Sequence, residues 1–233
     1  MKIRRSTQSL SETVYKSLRM RILSGQIPLG TPLSRRQVAV EFGVSIVPVG
    51  EALQRLQTEE LVESRPRVGT RVRIPAADDV RGYYTVREAL ETHSARLFAE
   101  KASRSEKEEI AGMAAWLDKR YGRAGKGKLA ADDIYELHQR HMRFHMRVAE
   151  CTGCRALTQA MERNHVLTLN WLYDTAADWH QLPPRFHASL AEALAGGDAI
   201  QASEAMRRHV TYGREELLEK LDKRLRHMPV MTA

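Results

Sequence analysis

The chain has 233 residues, of which 42% are hydrophobic and 28% charged, and its formal net charge is +8. This composition excludes an intrinsically disordered chain, which would contain fewer apolar residues. No stretch approaches the roughly 20 apolar residues of a membrane span, and the N-terminus lacks the apolar core of a secretory signal. We therefore expect a globular protein of the cytoplasm with no membrane partner.

The positive charge is concentrated in the N-terminal third. Residues 1–77 contain 13 lysines and arginines against 6 aspartates and glutamates, whereas residues 78–233 contain 24 against 23. A basic segment joined to a neutral one suggests that the basic segment binds a polyanion, and DNA is the obvious candidate.

Three helices are predicted within the basic segment. Apolar residues at helical spacing indicate the first over 10–24, with Ser9 or Ser11 as its cap. Ser34 begins a second helix, and after a glycine-containing turn Ser45 caps a third. Two capped helices separated by such a turn are typical of a helix-turn-helix, whose second helix enters the major groove of DNA.

A basic hairpin is predicted directly after this motif. Two short alternating segments, Leu61-Val62 and 70–74, flank a turn over 66–69. Four arginines give the hairpin its positive charge: Arg65, Arg67, Arg71 and Arg73. Such a hairpin is typical of a wing, whose arginines contact phosphates or the minor groove. The alternative is a solvated basic hairpin without function.

The segment 29–72 resembles the winged helix-turn-helix of the GntR family of bacterial regulators. The resemblance rests on residues spread along the whole motif: Gly30, Leu33, Ala39, Gly43-Val44-Ser45, Pro48-Val49, Glu51-Ala52-Leu53, Leu56, Leu61-Val62 and Gly69. It implies binding to a double-stranded DNA operator. We expect the DNA contacts from these residues: Arg35, Arg36, Ser45, Ile46, Val47, Gly50, Arg65, Arg67 and Gly69.

Two of these positions depart from the family. Members commonly carry arginines where this chain has Ile46 and Gly50. Because arginine is the usual bidentate reader of guanine, their loss is expected to alter or weaken base readout. The sequence therefore predicts an unusual operator, or DNA binding that relies on backbone contacts.

Beyond a linker at 75–79, only helices are predicted. Helical periodicity, with breaks at Gly and Pro, places them at about 79–102, 104–120, 130–151, 155–177, 183–196 and 198–226. No strand-like alternation occurs, so this part is expected to be an all-α bundle. The predicted fold is thus mostly α, with a winged helix-turn-helix domain over 1–77 and a helical-bundle domain over 78–233.

Histidines form the most informative pattern in this helical part. His138, His141 and His145 share one helix face, and His141 and His145, four residues apart, can bind one metal ion together. His187 and His209 lie on the last two predicted helices. His138 is expected to be either an outer partner of the metal ligands or an exposed residue.

Residues 79–226 resemble the FCD-type sensor domain of the FadR-like GntR regulators. The resemblance is carried by the segments VREALETHSARLFAEKA, HMRFHMRVAECTG and FHASLAEALAGGDAIQASEAMRRHV. Metal-binding members show Asp-x-x-Phe-His, a distant histidine, Gly-Asp and a final histidine. The resemblance therefore implies four metal ligands: His141, His145, His187 and His209, with His141 in the place of the aspartate.

An all-histidine ligand set favours a transition metal over a hard cation. We expect zinc, with nickel as the alternative. The resemblance also implies a small organic acid effector near the metal, with Arg87 and Asn164 as its contacts. For Arg87 the alternative is a surface salt bridge to Glu91.

These features predict a DNA-binding repressor that responds to a ligand. Effector binding would shift the two DNA-binding domains of a homodimer relative to two operator half-sites. Two alternatives stay open: the metal itself is the signal, or the histidines form a metalloenzyme site. Hydrolysis would need a general base, and the residues between His141 and His145 provide none, so we do not expect an enzyme.

Overall fold

The computed structural model describes residues 9–65, 69–124, 130–163, 182–216, 218–219 and 223. The chain divides into two compact units at the boundary between Ile74 and Pro75. The first unit combines helices with a small sheet, and the described elements of the second are all helices. The mostly α fold predicted from the sequence is confirmed.

The N-terminal unit contains, in chain order, α1 (Leu10–Leu23), β1 (Pro32–Leu33), α2 (Arg35–Phe42), α3 (Ile46–Thr58), β2 (Val62–Arg65) and β3 (Gly69–Val72). Local capping sets the helix ends. The hydroxyls of Ser9 and Ser34 each accept a hydrogen bond from the backbone N–H three residues later. Gly43 ends α2 in the left-handed conformation that favours glycine. Ser45 precedes α3 as predicted, but its side chain makes no capping bond.

The core of this unit lies between α1 and α3. The two helices bury apolar residues at helical spacing: Val14, Leu18, Ile22, Val49, Leu53 and Leu56. An ion pair between Arg19 and Glu59, 2.8 Å long, joins the same two helices. Because the buried face of α3 begins at Val49, its first turn is left exposed.

The wing belongs to a three-stranded antiparallel sheet in the order β1-β3-β2. Arg65 pairs with Gly69 across the predicted hairpin, and Leu33 pairs with Thr70 to add the third strand. The sequence indicated only the hairpin, because a two-residue strand is too short to show alternation. The strand predicted over 70–74 ends at Val72.

The C-terminal unit contains, among the described residues, α4 (Ala77–Lys101), α5 (Arg104–Ala124), α6 (Ala131–Glu150), α7 (Arg155–Arg163), α8 (Phe186–Ala195) and α9 (Ala199–Thr211). Helix α4 packs against α6 and α9, α5 packs against α6 and α8, and α8 packs against α9. Large apolar side chains fill the interior, among them Phe98, Leu117, Phe144 and Leu194. This packing brings together the three helices that carry the predicted metal ligands.

Some predicted boundaries differ from the structure. Asp78 and Asp79, placed in the linker, lie in the first turn of α4, where acidic side chains interact favourably with the helix dipole. The continuous helix predicted over 198–226 is wrong, because α9 ends at Thr211 and Gly213 adopts a left-handed conformation. Of the helix predicted over 155–177, the structure describes residues up to 163, and the rest lies outside the described residues. No described helix is both long and apolar enough to cross a membrane.

Candidate metal centre and DNA-binding surface

The four predicted metal ligands come from three helices and converge. His141 and His145 lie on α6, His187 on α8 and His209 on α9. The Nε2 atoms of His141 and His145 are 3.0 Å apart, and Nε2 of His187 is 3.4 Å from that of His141. One ring nitrogen each of His141, His145 and His209 lie within 4.8 Å of one another. The structure therefore brings all four imidazoles into one cluster.

The separations of His141 from His145 and from His187 fit imidazole ligands on one metal ion. Two nitrogens that each lie about 2.0–2.1 Å from a zinc ion are separated by about 3–3.4 Å at the usual bond angles. His145, His187 and His209 are buried, and His141 is partly buried. Burial, reinforced by the neighbouring imidazoles, holds the pKa of both His141 and His209 well below the usual histidine range. These two residues are therefore in the neutral form that binds metals.

Outer contacts hold three of the rings with Nε2 toward the cluster. Nδ1 of His145 contacts a carboxylate oxygen of Glu91. Nδ1 of His187 lies 2.8 Å from Oδ1 of Asp118, and Nδ1 of His141 lies 3.0 Å from the Tyr121 hydroxyl. Metal-ligating histidines commonly use their second nitrogen in this way, which fixes the tautomer and the ring orientation.

His209 is held differently. Its ring stacks on that of Phe186, with centroids 4.4 Å apart and an interplanar angle of 23°. Its Nδ1 atom is buried and has no hydrogen-bond partner in the part of the chain that the structure describes. A buried polar nitrogen without a hydrogen bond is costly unless something else binds it, which fits the donor set of a metal site.

Asp118 has two roles at once. Besides contacting the His187 ring, its carboxylate accepts hydrogen bonds from the backbone N–H groups of His187 and Ala188, both at 2.9 Å. Arg185, at the N-cap position of α8, makes no side-chain capping bond. Burial acts to raise the pKa of Asp118, but the hydrogen bonds from His187 and Ala188 outweigh it and lower that pKa. Asp118 of α5 therefore both caps α8 and orients its histidine.

Arg87, predicted to contact the effector, forms an ion pair with Glu91 of 2.6 Å in which both side chains are buried. The alternative, a surface salt bridge to Glu91, named the right partner but is wrong about the location, because the pair is buried. Burial acts to raise the pKa of Glu91, but its contacts with His145 and Arg87 outweigh it and lower that pKa to about 2. The site consequently has a carboxylate against His145, although none of the four predicted ligands is acidic.

The remaining predicted site residues of this unit have mixed outcomes. His138 is fully buried, so the alternative of an exposed residue is wrong. Asn164 lies outside the described residues. No local sequence pattern points to Asp118 or Tyr121, because both belong to α5 and reach their histidines across the bundle.

The predicted DNA-binding residues lie on α2, on α3 and on the wing. Arg35 and Arg36 are exposed in the first turn of α2, and Ile46 and Val47 are exposed in the first turn of α3. Gly50 follows in the next turn of α3. Arg67 lies outside the described residues. The structure also places Ser45 directly before α3, Arg65 at the end of β2 and Gly69 at the start of β3.

A cleft of about 450 Å³ lies between α2 and the wing. Its lining includes the side chains of Ser34, Arg35, Arg65 and Thr70. Pairing of β1 with β3 fixes this cleft, because β1 leads directly into the first turn of α2. Two predicted DNA-binding arginines thus line the same surface.

Residues 10–72 match the bacterial regulatory proteins of the gntR family, and residues 83–212 match the FCD domain. The chain belongs to the GntR family and carries an FCD domain. This confirms both resemblances seen in the sequence. A GntR regulator is not an enzyme, so the metalloenzyme alternative is set aside.

Proteins similar to this GntR regulator are named as transcription factors. The chain is 28% identical over 208 residues to the HTH-type transcriptional repressor RspR of Escherichia coli K12, covering 88% of this chain and 87% of that protein. It is 29% identical over 195 residues to a probable D-xylose utilization operon transcriptional repressor of Paenarthrobacter nicotinovorans, covering 82% and 81%. The fold matches a putative GntR regulator from Rhodococcus sp. RHA1 with a TM-score of 0.72 at 22% identity, covering 91% and 99%.

Proposed function

We propose that this GntR regulator is a cytoplasmic, homodimeric transcriptional repressor. Its winged domains, over 1–77, bind two half-sites of a DNA operator. A small organic acid bound near a divalent transition metal in the domain over 78–233 controls that binding. The observation that carries the proposal is the convergence of four imidazoles from α6, α8 and α9 in the FCD domain.

Repression is supported by the names of the similar proteins. RspR and the D-xylose regulator are both named as repressors. The gluconate operon transcriptional repressor of Bacillus subtilis is 41% identical over 87 residues, which cover 37% of this chain and 35% of that protein. A repressor needs only to occupy its operator, so a winged helix-turn-helix dimer suffices for this function.

We assign the metal to His141, His145, His187 and His209, with zinc as the first choice and nickel as the second. Bound there, the metal would supply a Lewis-acidic position for a carboxylate oxygen of the effector. The chain itself supplies the orientation of the ligands. Glu91, Asp118 and Tyr121 hold three of the four rings through Nδ1.

We propose Arg87 as the basic group that binds the effector and Asn164 as a second, uncharged contact. Its guanidinium is linked to His145 through the carboxylate of Glu91. Because the buried Arg87–Glu91 pair is neutral as a whole, a bound metal would supply the main attraction for an anion, and Arg87 would contribute through the hydrogen-bond donors of its guanidinium.

A second candidate function is a regulator in which the metal itself is the signal. It is favoured by the origin of the ligands, since one ion would join α6, α8 and α9 and so change the packing of the bundle directly. Operator binding measured against metal concentration, with and without a panel of organic acids, separates the two. Release by metal alone supports the second candidate, and release only with an acid supports the first.

The decisive experiment is metal analysis of protein purified without chelator. We expect close to one zinc or nickel ion per chain, and a loss of metal affinity of at least tenfold in the His187→Ala variant. His93→Ala is the matched control, because His93 is an exposed histidine on α4. Unchanged metal content in His187→Ala, or equal loss in both variants, would contradict the ligand set.

A further inference from the structure

The first turn of α3 exposes two large apolar side chains. Ile46 has 49% and Val47 has 68% of its surface exposed. The other apolar residues of this helix, including Val49, Leu53 and Leu56, are buried against the rest of the unit. Most of Val47 and about half of Ile46 therefore lie outside the core, next to each other in one turn, where they can contact a partner.

The same part of α3 offers no positive charge. Between Ile46 and Gln54 the helix contains no lysine or arginine. Its first guanidinium, that of Arg55, lies 3.7 Å from the centroid of the Tyr15 ring and forms an ion pair of 2.5 Å with Glu12 of α1. Arg55 is thus held against α1, so the N-terminal half of α3 has no arginine with which to read guanine.

Gly50 lies one turn after Ile46, on the same side of the helix. A Cβ atom built on Gly50 would meet no other atom within 4 Å. The space in front of the helix is therefore open at this position, and the backbone of α3 can approach a surface closely there.

Exposed positive charge lies on two other elements of the same unit. Arg35 and Arg36 are exposed on α2, and neither forms an ion pair with another described residue. Arg65 of the wing is also exposed, and its ion pair with Glu63 has a separation of 3.8 Å. A unit that exposes both an apolar turn and cations on α2 and the wing suits a partner with an anionic backbone and apolar groups between its backbone strands. The major groove of DNA has both properties where thymine methyl groups line it.

We propose that Ile46 and Val47 recognise the C5-methyl groups of thymine in the major groove of the operator. The arginines of α2 and the wing bind the flanking phosphates, and Gly50 allows α3 to lie close to the bases. The operator half-site would then carry A·T pairs opposite the first turn of α3. This inference rests on the proposed operator binding and adds to it the chemistry of the bases that are read.

The test begins with selection of binding sites from random double-stranded DNA by the full-length protein. In the selected site, each thymine is then replaced singly by deoxyuridine, which removes only the methyl group. We expect a loss of affinity of about fourfold for each methyl group that contacts Ile46 or Val47. Fluorescence anisotropy at a fixed salt concentration measures it.

Variants connect the methyl groups to the side chains. Ile46→Ala and Val47→Ala should bind the thymine site more weakly and lose the sensitivity to deoxyuridine, because the apolar contact is already absent. Ile200→Ala is the matched control, since Ile200 is an exposed isoleucine on α9 of the other unit. It should keep both the affinity and the sensitivity.

Several outcomes would overturn the inference. A selected site that is bound equally well with deoxyuridine at every position contradicts it but leaves operator binding intact. The same holds if Ile46→Ala changes self-association and leaves DNA affinity unchanged. Failure to select any specific site contradicts both this inference and the proposed function. The deoxyuridine measurement uses the unaltered protein, so it remains decisive if a variant fails to fold.

Discussion

Asp118→Ala is the substitution that most directly probes how the histidine cluster is built. It removes three hydrogen bonds at once, from Nδ1 of His187 and from the backbone N–H groups of His187 and Ala188. Helix α8 then begins without a cap, because Arg185 supplies none. His187 is fully buried, so water does not replace the lost acceptor easily.

The expected magnitude follows from these contacts. Loss of a helix cap costs about 0.5–2 kcal/mol. A buried imidazole N–H without an acceptor costs about 1–3 kcal/mol. We therefore expect the free energy of unfolding of this unit to fall by about 2–4 kcal/mol, which corresponds to a decrease in Tm of about 5–15 °C. Because His187 loses its orienting partner, metal affinity should fall by about 10–100-fold.

Thermal unfolding and a competitive metal titration measure the two effects separately. Asp198→Ala is the matched control, because Asp198 caps α9 by accepting from the N–H groups of Ile200 and Gln201. Asp198→Ala should lower Tm because α9 loses its N-cap, and it should have little effect on metal affinity. Asp118→Asn, which keeps the shape but removes the charge, should lose less stability than Asp118→Ala. If Asp118→Ala and Asp198→Ala affect Tm and metal affinity equally, Asp118 does not position His187.

Three further predictions concern other parts of the chain. Burial, with the carboxylate of Glu59 beside it, raises the pKa of Tyr15 to about 12. The neutral phenol is thus favoured in the folded state, and its stabilisation should be complete below about pH 10 and lost as the pH rises toward 12. The Tm difference between the wild type and Tyr15→Phe should therefore shrink over that range, and a constant difference would contradict the assignment. Gly43→Ala should lower the free energy of unfolding in urea by about 1–2 kcal/mol, because Gly43 has φ 63°, which alanine disfavours. A steric clash is not the cause, since no atom lies within 4 Å of a Cβ built there. Gly50→Ala, in the helical conformation, should not destabilise, and equal losses would refute the conformational cause. For wild type with free metal at about 100 times Kd, a chelator should remove about 3 kcal/mol of stability and so lower Tm. The same decrease in His187→Ala would show that the chelator acts elsewhere.

The helix-turn-helix could be predicted from the sequence because its signals are local. Ser34 and Gly43 mark the ends of α2, and the apolar stripes of α1 and α3 are visible at helical spacing. Strand β1 could not be predicted, since its only support is pairing with β3, some 37 residues later. The end of α9 was missed because the apolar pattern continues past Gly213, where the left-handed backbone turns the chain.

The four histidines could be predicted because the spacing of the ligands along each helix is a property of the sequence. Their outer contacts could not. Asp118 meets His187 from 69 residues away, and Glu91 meets His145 from a different helix. Whether Arg87 and Glu91 would pair at the surface or inside depended on the packing of α4, which no local pattern records.

The order in which the ligands occur along the chain has a consequence for biosynthesis. Synthesis from the N-terminus completes α6, with His141 and His145, well before α8 and α9 are made. Until α8 is made, the nascent chain offers only His141 and His145 of the ligand set, and His187 and His209 join them when α8 and α9 pack into the bundle. Metal loading would follow the folding of the FCD domain, and a truncated product lacking α9 would not retain the ion. Metal content would therefore differ between the full-length regulator and a truncated chain.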